Sequence, residues 1–275
     1  MKRRVLITGC TGFVGRQILA ELLKKDVSIV PVVRRGSAGK LLAASCMEDP
    51  IQTEDIFSES QSWWKEKLQG VDILIHVAWY AEPSKYQFST ENLHCLIGTL
   101  RMAEAAAEAG VKRFVGVGTC CEYAQSDQPL SVDSPLTASS PYAASKAAVY
   151  FALSQLLPQY DTEFSWCRLF YLYGDGEDER RLVPAIRKNL GEGRPVELTA
   201  GMQVRDFLNV SKAGRRIADV ALSDKTGAVN ICSGKAVTVR ELAESIADDY
   251  RRRDLLKFGA RKENPVDPPY VVGVP

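Results

Sequence analysis

The sequence has very little histidine and lacks the cysteine spacing of many metal sites. Only two of its 275 residues are histidines, His76 and His94, which argues against a metal centre built from several imidazoles. The seven cysteines form an odd set with no CxxC pair. We therefore expect no metal site.

Long apolar runs and an excess of one charge are also absent. The apolar run at residues 5–7 is far too short for a secretory signal, and no stretch approaches the roughly 20 apolar residues of a membrane helix. With the unpaired cysteines, this predicts a reducing, cytoplasmic setting and no membrane partner. The 35 Lys+Arg and 34 Asp+Glu nearly cancel, which gives no reason to expect nucleic acid as a partner. Any anionic ligand must be met by a few placed cations.

What is present is an alternation of β-branched runs and helical segments. Buried strands are expected at 4–8, 27–33, 72–77 and 113–118, and helices at 14–24, 92–109 and 141–157. This alternation predicts an α/β fold with a doubly wound parallel sheet, whose ligands collect at the carboxyl ends of the strands. After residue 170, glycine and proline become frequent. We predict a dinucleotide-binding domain at 1–170, with 205–222 returning to it, and a smaller α/β substrate-binding lobe from 171–204 and 223–275.

A glycine-rich segment, TGCTGFVG, joins the first strand to the first helix with the spacing GxxGxxG. Gly9 suits a tight turn, Gly12 a close approach of backbone to pyrophosphate, and Gly15 close packing of helix on strand. This predicts a Rossmann-type dinucleotide site. Its expected cofactor-binding residues are Gly9, Thr11, Gly12, Phe13, Val14 and Gly15.

The end of the second strand bears on which cofactor binds. The segment VPVVRRGS carries Arg34 and Arg35 and no acid. An acid there would bond the adenosine ribose, whereas an arginine accommodates a 2′-phosphate. NADP(H) is therefore the preferred cofactor, with NAD(H) as the alternative.

A tyrosine and a lysine stand four residues apart at the start of a predicted helix. Tyr142 and Lys146 therefore project from one face, where the lysine charge should lower the pKa of the phenol and hold a nicotinamide ribose. Thr119, at the end of a strand, is placed to donate a hydrogen bond where negative charge develops on a carbonyl oxygen. These three residues are the predicted catalytic group.

In this order, TGxxGxxG, Thr119 and YxxxK resemble the extended short-chain dehydrogenase/reductase family of NAD(P)-dependent nucleotide-sugar epimerases, dehydratases and ketoreductases. The resemblance implies that Val77 and Ala78 lie over the cofactor. It also implies that Arg205, in the RDF segment, reaches the phosphates of a nucleotide diphosphate sugar substrate. Arg261 or Lys262 would supply a weaker second phosphate contact.

Some positions depart from the family pattern. Trp79 replaces a small residue and is expected to form an aromatic wall of the sugar pocket. Tyr171 stands where an asparagine is usual, so it would contact the sugar in place of an amide. Glu122 is expected either to bond a sugar hydroxyl or to be a charge at the rim.

Within the family, residues 198–207, 233–240 and 258–261 resemble the nucleotide-sugar 4-ketoreductases. This implies NADPH-dependent reduction of a 4-keto-6-deoxy nucleotide sugar, in deoxysugar or surface polysaccharide biosynthesis. A dehydratase is disfavoured, because Thr119 precedes Cys120 and Cys121 rather than an Asp-Glu pair. The alternatives are an NAD(P)-dependent nucleotide-sugar 4-epimerase and a non-catalytic dinucleotide-binding regulator.

Members of the family often dimerise through the helices that correspond to 92–109 and 141–157. The alanine-rich faces here permit this, and a homodimer is expected. The family usually continues into another helix beyond the point where this chain ends, so we expect either a short member or a trimmed end.

Overall fold

The computed structural model describes residues 2–41, 44–264 and 267–275. Within these ranges, the strands are β1 (Arg3–Thr8), β2 (Val27–Arg34), β3 (Ile51–Thr53), β4 (Ile73–His76), β5 (Arg113–Thr119), β6 (Glu163–Leu169), β7 (Tyr171–Tyr173), β8 (Val196–Glu197), β9 (Val204–Arg205), β10 (Phe207–Asn209), β11 (Gly227–Ile231), β12 (Val237–Thr238), β13 (Leu256–Lys257) and β14 (Tyr270–Val271). The α-helices are α1 (Phe13–Leu22), α2 (Gln61–Lys67), α3 (Glu91–Glu108), α4 (Pro141–Leu156), α5 (Leu182–Gly191), α6 (Val210–Leu222) and α7 (Val239–Tyr250).

Seven strands form one parallel sheet in the order β11-β6-β5-β4-β1-β2-β3. One hydrophobic core lies between the sheet and helices α1 and α6. A second core lies between the opposite face and helices α2, α3 and α4. Because both faces are covered, the strands are apolar along nearly their whole length, as the sequence predicted. The predicted doubly wound α/β fold is confirmed.

The order of strands in the sheet fixes where a ligand can bind. The chain winds outward from β1 to β2 and β3, then returns to β4 on the other side of β1. The crevice between the carboxyl ends of β1 and β4 is therefore the topological switch point, where open α/β sheets bind their ligands. The glycine-rich segment follows β1, and residues 77 and 78 follow β4.

A smaller core, separate from the sheet, is built from α5, α7 and the strand β8. It corresponds to the predicted smaller lobe, with one correction. We placed 223–275 wholly in that lobe, but β11 pairs with β6 at the edge of the large sheet. The short run Gly227–Ile231 is apolar enough to extend a buried sheet, and its Val229 and Ile231 are buried there. Residues 265 and 266, also in the predicted lobe, lie outside the described residues.

Candidate active site

The glycine-rich turn has the close backbone contacts that its spacing predicted. Gly9 has φ of +68°, and a Cβ there would lie 2.6 Å from the backbone nitrogen of Ala78. A Cβ on Gly15 would lie 2.1 Å from the carbonyl oxygen of Gly9. Glycine is therefore required at both positions, once for the turn and once for the contact of α1 with that turn.

Gly12 lies between them, at the N-cap of α1, and no side chain caps the helix there. Gly12 itself is exposed, and no side-chain cap satisfies the first amides of α1. A helix N-terminus with free amides and no Cβ in front of it fits the pyrophosphate of a dinucleotide. The predicted neighbours Thr11, Phe13 and Val14 are half-buried in this turn.

The turn after β4 is held against the glycine segment by Thr8. The Thr8 hydroxyl oxygen accepts a hydrogen bond from the amide of Val77 at 3.2 Å and lies 3.4 Å from that of Ala78. It is also 2.8 Å from Nδ1 of His76, whose Nε2 is 2.9 Å from the Thr99 hydroxyl. Burial lowers the pKa of His76 to about 3, so the ring is neutral. His76 therefore orders the turn from within the core.

The predicted 2′-phosphate site has two exposed arginines and one acid. Arg34 and Arg35 are exposed at the carboxyl end of β2. The guanidinium of Arg35 lies 3.0 Å from the carboxylate of Glu54, which follows β3. Inspection of β2 alone missed Glu54, because the parallel pairing of β2 with β3 brings it to this end of the sheet.

Helix α4 carries both Tyr142 and Lys146. The helix begins after Ser140, whose hydroxyl accepts a hydrogen bond from the amide of Ala143 at 3.2 Å. Lys146 is 3% exposed, and its Nζ donates to the carbonyl oxygen of Val117 at 2.6 Å. Burial lowers the pKa of Lys146 to about 7. The lysine thus reaches from α4 to the carboxyl end of β5, as the motif requires.

Two indole rings surround the Lys146 ammonium. Its Nζ lies 3.8 Å from the ring centroid of Trp79 and 5.8 Å from that of Trp166. The Trp79 Nε1 donates to the side chain of Asn92 at 2.9 Å, which fixes the ring. We predicted Trp79 as a wall of the sugar pocket, but the structure places its ring against Lys146. The large side chain fills space beside the lysine that a small residue would leave open.

Thr119 and Tyr142 meet at the end of β5. A hydrogen bond with the Thr119 side chain lowers the pKa of Tyr142, but desolvation of the phenol outweighs it and raises that pKa well above its usual value. The ring of Tyr86 packs edge-on against Tyr142, with centroids 4.8 Å apart. We expected Lys146 to lower the pKa of Tyr142, and this is wrong for the structure, where the lysine Nζ binds Val117. Tyr142 is therefore a protonated phenol at neutral pH.

Cys121 is a neighbour of this group that the sequence analysis did not select. Its amide donates to the Thr119 hydroxyl oxygen at 3.2 Å. Hydrogen bonds with the side chains of Cys120 and Thr119 lower the pKa of the Cys121 thiol to about 7. Its position two residues after Thr119 was the available signal. All seven cysteines lie in the described ranges and are free thiols.

Arg205 lies in β9 beneath the smaller lobe rather than at an open surface. It is 2% exposed, and its Nη2 lies 2.7 Å from the carboxylate of Asp267. Its guanidinium carbon lies 5.1 Å from the ring of Tyr171, a half-buried residue whose pKa is raised by burial. A substrate phosphate at Arg205 would therefore have to share it with Asp267.

A cavity of about 550 Å³ opens in the smaller lobe between α5 and β8. Arg261, one of the predicted phosphate contacts, lines it, whereas Lys262 is exposed and is not part of the lining. Sequence reasoning missed two further cations of this cavity, Arg180 and Arg194. The remaining lining is mostly apolar, from Leu182, Ala185, Ile186, Pro195, Val196 and Leu198. Asn189 and Glu197 complete the lining, and Arg180 and Arg194 also pair with carboxylates of Glu82, Asp178 and Glu192.

Glu122 does not reach the rim or the sugar pocket. It is fully buried, and its Oε2 lies 2.8 Å from Nε of Arg168. Trp166 Nε1 donates to both carboxylate oxygens at 3.0 Å. The prediction that Glu122 contacts substrate is therefore wrong for this structure, because the carboxylate points into the sheet.

The sequence profile of the NAD dependent epimerase/dehydratase family matches residues 5–232. The chain belongs to this family.

Among curated members, the chain is 23% identical over 258 residues to a dTDP-6-deoxy-L-talose 4-dehydrogenase (NAD(+)) from Aggregatibacter actinomycetemcomitans, covering 92% of this chain and 93% of the relative. It is 20% identical over 265 residues to a CDP-abequose synthase from Salmonella muenchen, covering 94% and 85%. The epimerase/dehydratase family member described here is thus an NAD(P)-dependent oxidoreductase of the short-chain dehydrogenase/reductase type.

Solved structures agree on the fold. A UDP-N-acetylglucosamine 4-epimerase from Methanobrevibacter ruminantium superposes with a TM-score of 0.84 at 23% identity, covering 100% of this chain and 90% of that one. A dTDP-glucose 4,6-dehydratase from Streptomyces venezuelae, solved with NAD bound, gives 0.83 at 23% identity, covering 98% and 88%. Epimerases and dehydratases of the family are thus about equally similar in fold.

No helix among the described residues is long and apolar enough to cross a membrane. In the same ranges, no group of three or more His, Cys, Asp or Glu side chains is arranged to hold a metal ion.

Proposed function

We propose that this family member catalyses the NADPH-dependent reduction of a 4-keto-6-deoxy nucleotide sugar. The observation that carries the proposal is the protonated Tyr142 phenol beside Thr119, at the carboxyl end of β5 next to the switch point. A carbonyl that accepts hydride becomes an alkoxide and needs a proton. Tyr142 is in the form that can give one.

Each side chain then has a separate task. Thr119 donates a hydrogen bond to the carbonyl oxygen and so stabilises the charge that develops there. Tyr142 transfers its proton to that oxygen. Lys146, one turn further along the same face of α4, would hold the nicotinamide ribose. The dinucleotide, when bound along the glycine turn, supplies the hydride.

Two observations support a nucleotide sugar as substrate. The cavity in the smaller lobe combines three arginines with an apolar wall, which suits a base and its diphosphate. The relative named as a dTDP-6-deoxy-L-talose 4-dehydrogenase acts on a nucleotide 6-deoxysugar, by its name, and covers nearly the same length. We extend that substrate class to this chain. Arg205 would join the phosphate site by binding a substrate phosphate and the Asp267 carboxylate together.

The preference for NADPH rests on Arg34 and Arg35. Both are exposed where a 2′-phosphate would lie. Glu54 pairs with Arg35 and reduces the positive charge there, so Arg34 is the more important of the two. We expect Arg34→Ala to weaken NADPH binding and leave NADH binding unchanged; a preference of the wild type for NADH by more than about tenfold would contradict the assignment.

We also propose that the protein is a homodimer joined through α3 and α4. Helix α3 exposes Leu93 (57%) and Ile97 (56%), and the adjacent α4 exposes Phe151 (56%). The two helices pack against each other, and exposed apolar side chains on neighbouring helices are expected at a helical interface.

The decisive test of the reaction is Tyr142→Phe, assayed with NADPH and dTDP-4-keto-6-deoxyglucose. Turnover should fall by about 100-fold or more, since the proton donor is lost, while NADPH still binds. Tyr160→Phe, an exposed tyrosine away from the site, is the matched control. A Tyr142→Phe enzyme with wild-type turnover would refute the role. A 4-epimerase would instead copurify with its cofactor and interconvert sugars without net oxidation of NADPH.

A further inference from the structure

A buried ion pair lies directly behind the catalytic group. Glu122 and Arg168 have 0% exposure and contact each other at 2.8 Å. Arg168 is held between the rings of Tyr123 and Tyr150, with its guanidinium carbon 4.8 and 4.5 Å from their centroids. Stability alone is a weak reason for such a pair, because apolar side chains of similar volume often replace one without loss.

Two glycines in β5, Gly116 and Gly118, leave room beside the strand for Glu122 and the neighbouring Trp166. A Cβ on Gly116 would lie 2.4 Å from the ring of Trp166. A Cβ on Gly118 would lie 2.2 Å from Nε1 of Trp166 and 2.5 Å from Oε1 of Glu122. Two glycines in the middle of a sheet are intrinsically unfavourable. Here they let the indole and the carboxylate lie flat against the strand that ends in Thr119.

The carboxylate is connected to the catalytic group in two ways. First, Oε1 of Glu122 accepts a hydrogen bond from the backbone amide of Thr119 at 2.8 Å, while the Thr119 hydroxyl oxygen accepts from the amide of Cys121. This reciprocal capping box fixes both the backbone and the side chain of Thr119. Second, Trp166 bridges Glu122 and the ammonium of Lys146, 5.8 Å from its ring.

Burial raises the pKa of Glu122, whereas its hydrogen-bond partners favour the ionised carboxylate. Its oxygens contact the amide of Thr119, the indole of Trp166 and the guanidinium of Arg168. All three are donors, so the carboxyl group acts only as an acceptor and needs no proton of its own.

Glu122 is the acidic group that acts most strongly on the charge of Lys146. Besides Glu122, the titratable groups that interact electrostatically with Lys146 are Cys95 of α3 and His76 of β4. Arg168 pairs with Glu122, and Tyr142 lies on α4 itself. Burial raises the pKa of Cys95 to about 11 and lowers that of His76 to about 3, so both are neutral at pH 7. Desolvation lowers the pKa of Lys146, and Glu122 opposes it.

We propose that Glu122 is a positioning residue for the reaction: its buried carboxylate, bound by Arg168 and Trp166, fixes Thr119 opposite Tyr142 and is the counter-charge of Lys146. The catalytic role of Glu122 rests on the proposed function, whereas its effect on the charge of Lys146 does not. A residue outside the substrate pocket would thus determine the pH range over which the lysine stays charged.

Three variants separate the two roles. Glu122→Gln keeps an acceptor for the Thr119 amide and removes the charge. The double variant Glu122→Gln/Arg168→Met also removes the cation, and so remains informative if the single variant leaves Arg168 unpaired and does not fold. Glu122→Met removes both the charge and the acceptor. Glu163→Gln is the matched control, because Glu163 pairs with Arg113 at the opposite end of the same two strands.

The first measurement needs no substrate. Side-chain nitrogen NMR of isotope-labelled lysine, assigned with Lys146→Arg, gives the titration midpoint of Lys146. We expect the midpoint to fall by about one pH unit in Glu122→Gln, since the ammonium loses its counter-charge, and to fall by less in the double variant, which also loses the Arg168 cation. It should stay unchanged in Glu163→Gln. If Glu122→Gln folds and its midpoint is unchanged, the proposal is overturned. If only the double variant folds, an unchanged midpoint there overturns it. Neither result depends on the identity of the substrate.

The second measurement is the pH dependence of kcat/KM for the reductase. In Glu122→Gln and the double variant, the loss of activity at high pH should move to lower pH by the same amount as the NMR midpoint. Glu122→Met should lose about 10- to 100-fold in kcat at every pH, because Thr119 is no longer fixed. A purely structural Glu122 would lower thermal stability and leave the pH profile in place. If neither the wild type nor any variant reduces the nucleotide sugar, the proposed function fails. A shifted NMR midpoint would still show that Glu122 is the counter-charge of Lys146.

Discussion

Two glycines of the turn allow a prediction in which one substitution mainly lowers stability and the other mainly weakens cofactor binding. In Gly15→Ala, the new methyl group would lie 2.1 Å from the carbonyl oxygen of Gly9 and 2.9 Å from the Cα of Cys10. Both are backbone atoms, so the first turn of α1 must move away from β1. Overpacking of this kind costs about 1–3 kcal/mol, which for a chain of this size lowers Tm by roughly 3–10 °C.

Gly12→Ala places its methyl group differently. The nearest atom is the Gly9 carbonyl oxygen at 3.3 Å, and the other side faces solvent at the start of α1. We expect a loss of less than about 1 kcal/mol in stability but at least about tenfold weaker NADPH binding, because the methyl group lies where the pyrophosphate would approach. Gly39→Ala, with no atom within 4 Å of its Cβ, is the control for both effects.

Thermal unfolding and NADPH fluorescence titration of the three variants measure the two effects. If Gly15→Ala melts with the wild type, the contact of α1 with the turn is not as tight as described. If Gly12→Ala binds NADPH normally, the cofactor does not cross this turn.

Two further predictions concern pH and assembly. Unfolded His76 takes up a proton below its ordinary pKa of 6.5, but the folded ring has a pKa of about 3. The free energy of unfolding should therefore fall by about 1.4 kcal/mol per pH unit between these values, or about 2 kcal/mol from pH 7 to pH 5. Urea unfolding should show this loss in the wild type and in His94→Asn but not in His76→Asn; equal pH dependence in all three would refute it. For assembly, Leu93→Asp/Ile97→Asp should convert a dimer into a monomer by light scattering, whereas Val132→Asp, at an exposed apolar position outside these two helices, should not. A wild type that is already monomeric would contradict the interface.

The sequence was sufficient where a single residue type has a special geometric property. Gly9 and Gly15 could be assigned because no side chain fits at either position, and the spacing of Tyr142 and Lys146 fixes a shared helix face. The alternation of apolar runs with helices predicted the parallel sheet. Strand β3 and helix α2 were not among the predicted elements, since three and seven residues give too little periodicity to identify them.

The errors arise where a side chain's partner is far away in the sequence. Asp267, which pairs with Arg205, lies far along the chain, so the sequence did not indicate that a phosphate would have to share Arg205 with a carboxylate. Glu122 was expected either to bond a sugar hydroxyl or to be a charge at the rim, and neither expectation matches its buried position. Its direction depends on Arg168, more than forty residues later, and on space beside β5 that one sequence does not reveal. The pKa of Tyr142 depends on desolvation, which requires the packed structure.

The placement of β11 has a consequence for how the protein can be divided. The chain leaves the large sheet after β6, and α6 returns to pack on α1. After β11 closes the sheet edge, α7 goes back to the smaller core. Because each core draws on separate stretches of the chain, no single cut yields two self-sufficient fragments. Expression of the first 170 residues would leave β6 as a bare edge and α1 uncovered, so dissection of this enzyme requires grafted or permuted chains rather than truncation.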